Sequence, residues 1–102
     1  MGVLPKISVI IPSLNAMPYI AETLKSILRQ DYDNYEVIVM DGGSTDGTVS
    51  LLDGFRSYDS RITYVSEKDA GGVEAVNKGM RKASGDILTM FCADDVYERM
   101  NR

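Results

Sequence analysis

Glu36-Val37-Ile38-Val39-Met40, running straight into Asp41-Gly42-Gly43-Ser44-Thr45-Asp46-Gly47-Thr48, is the stretch that decides the fold. The apolar part is short and rich in β-branched residues, and it does not alternate with polar ones. It therefore reads as a strand covered on both faces. It stops at an aspartate and a loop of glycines and small polar residues. Beyond the loop, Val49, Leu52 and Phe55 recur at helical spacing, which predicts a short helix from Thr48 to Ser57. A buried strand opening through such a loop into a helix is the unit from which parallel sheets are built.

Working outward, the same alternation repeats. Lys6-Ile7-Ser8-Val9-Ile10-Ile11-Pro12 is a first strand ended by proline, and Ile20, Leu24, Ile27 and Leu28 mark the helix after it. Pro18 suits the first turn of that helix, with Asn15 or Ala16 near its cap. Arg61 to Val65 is a third strand. From Gly72 to Ala83, Val73, Val76, Met80 and Ala83 form one stripe, with Lys78, Arg81 and Lys82 mostly off it, and Ser84-Gly85 ends the helix. Asp86 to Phe91 is a fourth strand, followed by Cys92-Ala93-Asp94-Asp95.

The pattern predicts an α/β fold: a Rossmann-like open parallel sheet of about four strands with three helices on its two faces. Ligands in such sheets bind beyond the carboxyl ends of the strands, near a switch in strand order. The polar clusters obey that rule. Pro12-Ser13-Leu14-Asn15 follows the first strand, Asp41 to Gly47 the second, Ser66-Glu67-Lys68-Asp69 the third and Ala93-Asp94-Asp95 the fourth, so all four fall on one rim.

Composition narrows the chemistry. The chain has 102 residues, 44% hydrophobic and 25% charged, which suits one small globular domain. A net charge of −4, with no basic stripe, argues against a nucleic-acid partner. Histidine is absent, which removes serine–histidine and cysteine–histidine catalysis from this chain. The single cysteine, Cys92, excludes an internal disulfide and is compatible with a reducing cytoplasm. No transmembrane segment is expected, because no apolar run approaches ~20 residues.

The loop from Asp41 to Thr48 lets backbone approach a ligand closely, and Asp41 could accept hydrogen bonds from a ribose or base. Read in isolation it is more readily a tight turn in which Asp46 or Thr48 caps the next helix. It is neither the dinucleotide fingerprint nor a Walker loop. Asp94-Asp95 looks like a divalent-cation site, since hard cations take carboxylate oxygens. The alternative is a solvated turn in which Asp95 caps a final helix. Gly79, inside a helix, points to close packing against a neighbour or a ligand. Lys68 or Lys78 could meet a pyrophosphate, although an exposed lysine is usually just solvated.

In order and spacing, Ser8 to Asn15, Val37 to Thr48, Ser66-Glu67-Lys68-Asp69 with Asn77-Lys78-Gly79, Ser84-Gly85-Asp86 and Ala93-Asp94-Asp95 resemble the family 2 glycosyltransferases. The resemblance spans Ile7 to Tyr97, and the set is far more specific than any one motif. It implies the GT-A fold and an inverting, metal-assisted transfer from a nucleotide-diphosphate sugar, a UDP-sugar foremost, to a glycan or lipid-linked acceptor. Mg²⁺ or Mn²⁺ is the implied metal and Asp94 its ligand. The implied nucleotide site comprises Pro12, Ser13, Asn15, Asp41, Gly43, Ser44, Asp69, Asn77, Ala93 and Asp94. The expected location is cytoplasmic, at the inner face of a membrane where the acceptor is lipid-linked.

Two departures qualify the resemblance. Cys92 replaces the first acidic residue of the family's Asp-x-Asp motif, which weakens a ribose or metal contact there. The chain also stops at Arg102, so on this reading it is the donor-binding N-terminal part. The acceptor-binding half that supplies the catalytic base is then absent, the chain alone is inactive, and an exposed sheet edge favours homo-oligomers. The alternative is a non-catalytic nucleotide-binding or interaction module. A sugar nucleotidyltransferase is disfavoured, because Ser13-Leu14-Asn15 lacks the glycine- and arginine-rich loop such enzymes need after the first strand.

Overall fold

All four predicted strands pair in register in a single sheet. The computed structural model describes residues 4–68 and 72–90. Its elements are β1 (Ile7–Ser13), α1 (Tyr19–Leu28), β2 (Tyr35–Asp41), α2 (Thr48–Tyr58), β3 (Ile62–Ser66), α3 (Gly72–Lys82) and β4 (Ile87–Met90). The sheet is parallel throughout, in the order β3-β2-β1-β4. The chain therefore steps outward from β1 to β3 and then returns across the sheet to place β4 on the other side of β1. The switch point lies between β1 and β4, where a ligand crevice is expected.

That reversal also sorts the helices. Right-handed crossovers made in opposite directions land on opposite faces. Val9, Ile11, Val37 and Val39 point to the face covered by α1 and α2, where Ile20, Leu24 and Leu52 complete a fully buried cluster. Ile10, Ile38 and Met40, one residue out of phase, meet Ala75 of α3 on the other face. The two inner strands thus supply both cores, which is why they carry unbroken apolar runs.

The stripe expected on α3 needs correction. Val73 is 78% exposed and Met80 40% exposed, whereas Ala75 and Gly79 face the sheet and are buried. Val76 and Ala83 are only partly buried. Small residues win because the helix backbone lies almost on the side chains of the sheet. A Cβ added at Gly79 would stand 2.6 Å from Ile10 Cγ2 and 3.1 Å from Met40 Cγ. The close packing read from Gly79 is therefore packing against a neighbour in the chain. Gly79→Ala is expected to be destabilising by about 1–2 kcal/mol, as overpacking outweighs the gain of about 1 kcal/mol in helix propensity. Urea unfolding with an unchanged m-value would test this, and a stability equal to or above wild type would refute the close-contact argument.

A second polar assembly closes the amino end of the sheet. Glu36 Oε2 accepts hydrogen bonds from Ser8 Oγ (2.6 Å) and Ser84 N (2.7 Å), and Ser8 Oγ accepts one from Gly85 N (2.9 Å). Lys6 Nζ donates to Ser84 Oγ at 2.7 Å and lies 3.8 Å from Glu36 Oε1. Burial opposes ionisation of Glu36, but the Ser8 and Ser84 donors, with Lys6 beside them, outweigh it and hold its pKa below the ordinary glutamate value. The assembly lashes the turn before β4 to β1 and β2. Among the described residues β4 is an edge strand, with Ile87, Leu88 and Met90 about half exposed.

Candidate functional site

Ser13, Asp41 and Ser66 occupy one rung of the sheet, at the carboxyl ends of β1, β2 and β3. Asp41 is 1% exposed. Its Oδ1 accepts hydrogen bonds from Ser13 Oγ (3.2 Å) and Ser44 Oγ. Its Oδ2 accepts from Gly43 N (3.1 Å), Ser44 N (2.8 Å) and Ser66 Oγ (2.9 Å). Desolvation raises the pKa of this carboxyl, yet the donors from Ser44, Ser66 and Gly43 more than offset it, and the net shift is downward. Asp41 is thus a fixed negative charge at the rim. A buried carboxylate is stable only where donors surround it, and five do so here.

The loops after β1 and β2 are sewn to each other. Asn15 N donates to Ser44 Oγ at 2.7 Å, Thr45 N donates to Asn15 Oδ1 at 2.8 Å, and Met17 N donates to Asp46 Oδ2 at 3.1 Å. Asn15 takes φ +48° to do so, a left-handed conformation that asparagine tolerates better than most residues. Its side chain therefore serves the neighbouring loop, and no side chain caps α1, whose N-cap position is Pro18. Asp46 Oδ1 accepts from Thr48 N (3.1 Å) and from Thr48 Oγ1, closing the entrance to α2. The N-cap position itself falls to Gly47, at φ +95°, which has no side chain to cap with, so Asp46 meets the first helical N–H from one position before the cap.

Of the expected site residues, Pro12, Ser13, Asn15, Asp41, Gly43 and Ser44 are gathered at the ends of β1 and β2. Asn77 is exposed on α3 and makes no hydrogen bond to them among the described residues. Lys78 is engaged elsewhere: its Nζ lies 2.8 Å from Glu67 and 3.9 Å from Glu74. Lys68 is exposed next to Gly43. Asp69, Cys92, Ala93, Asp94 and Asp95 lie outside the described residues. Among the described residues no group of three or more Cys, Asp or Glu side chains is arranged to hold a metal ion. The Asp41 oxygens are already spent on five donors. No helix among the described residues is long and apolar enough to cross a membrane.

Ser66 had no role assigned from sequence. The available signal was positional: Ser13, Asp41 and Ser66 each come directly after an apolar strand core. What could not be read was that the three strands end level with one another.

The sequence and the fold are similar to those of known proteins. The model of the family described as glycosyl transferase family 2 matches residues 8–101. A putative teichuronic acid biosynthesis glycosyltransferase, TuaG, from Bacillus subtilis is 38% identical over 96 residues, covering 93% of this chain and 38% of the relative. Among solved structures, the mannosyltransferase PcManGT from Pyrobaculum calidifontis, in complex with GDP-Man and Mn²⁺, superimposes with a TM-score of 0.82 at 37% identity. The match covers 88% of this chain and 28% of that one. Residues 1–349 of TarS from S. aureus, in complex with UDP-GlcNAc, give a TM-score of 0.75 at 28% identity, covering 87% and 26% of the two chains. The chain thus spans well under half the length of each of these three proteins.

Proposed function

This chain belongs to glycosyl transferase family 2, and from that premise we propose that it forms the donor-binding part of an enzyme that moves a sugar from a nucleoside diphosphate to an acceptor hydroxyl. The observation that carries the reading is the rung of Ser13, Asp41 and Ser66, with two loops locked over it, beside the β1/β4 switch point. Open α/β sheets bind nucleotides at that place. The rim is pre-organised, so little ordering remains to be done when a ligand arrives.

In this reading Pro12, Ser13, Gly43 and Ser44 line the nucleotide pocket with backbone and hydroxyl groups. The Asp41 carboxylate would take a base N–H in exchange for one of its serine donors. Asp69, Asn77 and Ala93 would complete the pocket. Asp94 would hold a Mg²⁺ or Mn²⁺ ion, as suits a PcManGT-like donor site. Such an ion, when bound, neutralises charge on the departing diphosphate. A UDP-sugar is the favoured donor, and transfer is inverting. The acceptor is a glycan or a lipid-linked sugar, met in the cytoplasm or at the inner face of a membrane. Self-association, where it occurs, would use the open edge of β4.

Thermal shift with UDP- and GDP-sugars, with and without Mn²⁺, tests the reading. A ligand at 100 times its Kd adds about 2.7 kcal/mol, a rise in Tm of roughly 10 °C or more at this chain length. Asp94→Ala is expected to remove the Mn²⁺-dependent part of the shift and leave the apo Tm unchanged. The absence of a shift with every donor would overturn the donor site. A metal effect that survives Asp94→Ala would overturn only the metal assignment.

A further inference from the structure

On the face of the molecule formed by α1 and α2, the two helices leave a groove of about 800 Å³ between them. Leu28 of α1 and Leu51 and Phe55 of α2 are partly buried against the core beneath and form its floor. Lys25 and Arg29, one helical turn apart, stand on the α1 side. Neither is in an ion pair among the described residues, and Arg29 Nε only caps its own helix through Lys25 O at 3.4 Å. Two such cations beside an apolar floor are conspicuous on a chain of net charge −4.

Gly54 lines the opposite side, and nothing among the described residues explains it. It sits in the interior of α2, where glycine costs helix stability relative to alanine. At Gly79 the cost has a cause, since a Cβ would strike Ile10 at 2.6 Å. At Gly54 a Cβ would meet nothing within 4 Å. With Ser50 one turn away, it leaves the α2 side of the groove low enough for another backbone to come close.

We propose that the α1–α2 groove docks an amphipathic helix of a partner protein, one whose apolar stripe is flanked by aspartates or glutamates. The apolar floor would take the stripe, Gly54 and Ser50 would admit the helix backbone, and Lys25 and Arg29 would pair with the flanking carboxylates. Charge complementarity selects an acidic partner. The shape of the site favours a helix over a membrane, because a groove between two helices admits a third helix and a broad bilayer surface cannot enter it. The proposal does not depend on the donor site, which is built at the strand ends.

The test is a selection from a display library of short helical peptides against the full chain, with binders mapped by amide chemical shifts. Enriched peptides should carry carboxylates beside an i, i+3, i+4 apolar stripe, and should perturb Leu28, Leu51 and Phe55. Gly54→Leu should raise the Tm yet weaken binding by about tenfold or more, equivalent to about 1.4 kcal/mol. Lys25→Glu with Arg29→Glu should weaken binding as much while leaving the fold intact by circular dichroism. The proposal fails if no helical binder is enriched, or if binders are neutral or basic. It fails equally if binding ignores both variants, or if phosphatidylglycerol vesicles engage the groove in place of the peptides.

Discussion

Replacing Asp41 with alanine is expected to lower the stability of the fold by about 3 kcal/mol and to abolish any nucleotide-dependent thermal shift. The magnitude follows from what the carboxylate leaves behind. Three hydroxyls and two backbone N–H groups converge on it. A buried donor without an acceptor costs about 1–3 kcal/mol, and water at the rim would rehydrate only some of the five. Asp41→Asn keeps the shape and loses the charge, so its loss should be smaller.

The pH dependence separates the charge from the shape. The folded-state pKa of Asp41 is depressed, so its ionisation contributes stability above the unfolded value of about 3.9. That contribution disappears as pH falls through the folded value. The gap in stability between wild type and Asp41→Asn should therefore be full and constant above about pH 4 and shrink as pH falls below it toward the folded value. Urea unfolding at several pH values measures this directly. An Asp41→Ala protein with wild-type stability and an unchanged acid limb would mean that the serines have other acceptors, and that the rung is not held by this carboxylate.

The second large effect is expected at the opposite end of the sheet. A Cβ at Gly85 would lie 2.5 Å from Ser8 Oγ, 2.8 Å from Lys6 O and 2.9 Å from Ser8 N. Two of those atoms belong to the backbone that enters β1, so no rotamer relieves them. Gly85→Ala should therefore cost about 3 kcal/mol, at the upper end of overpacking effects. The turn must pull away, and with it the bonds from Asp86 N and Ile87 N to Lys6 O, at 2.7 and 3.1 Å. Because β4 pairs with β1 directly above this turn, from Ile7↔Ile87 to Ile10↔Met90, its detachment also disturbs the switch point. Adding Ser8→Ala tests the cause. It removes one contact but leaves both backbone ones, so it should not restore stability, and a full rescue would show that only the hydroxyl was in the way.

Much of the fold was legible because its signals are local. Val37 to Met40 announces a doubly covered strand by composition alone, and Ile20, Leu24 and Ile27 announce a helix by spacing. The order of polar clusters was legible for the same reason: each directly follows its strand. On α3 hydrophobicity is a poor guide to burial. Val73 and Met80 are the apolar choice on that helix, but the contact with Ile10 and Met40 is too close for them, and Ala75 and Gly79 fill it. Gly79 had carried the correct warning. Asn15 was placed near the cap of its own helix, and its bond to Thr45, 30 positions along the chain, has no local signature.

From the sequence by itself came the alternation of strands and helices, the parallel sheet they imply, the rim on which the polar motifs gather and the resemblance to a family. These rest on periodicity and on chain order, which each segment carries within itself. Only the tertiary structure decided that β4 crosses to the far side of β1 and that Ser13, Asp41 and Ser66 end level. It alone also made Asp41 the hub of five internal hydrogen bonds. Those outcomes depend on register and strand order among residues 25 to 80 positions apart. They are set by how two cores pack on one sheet, a condition that no single stretch of the chain contains.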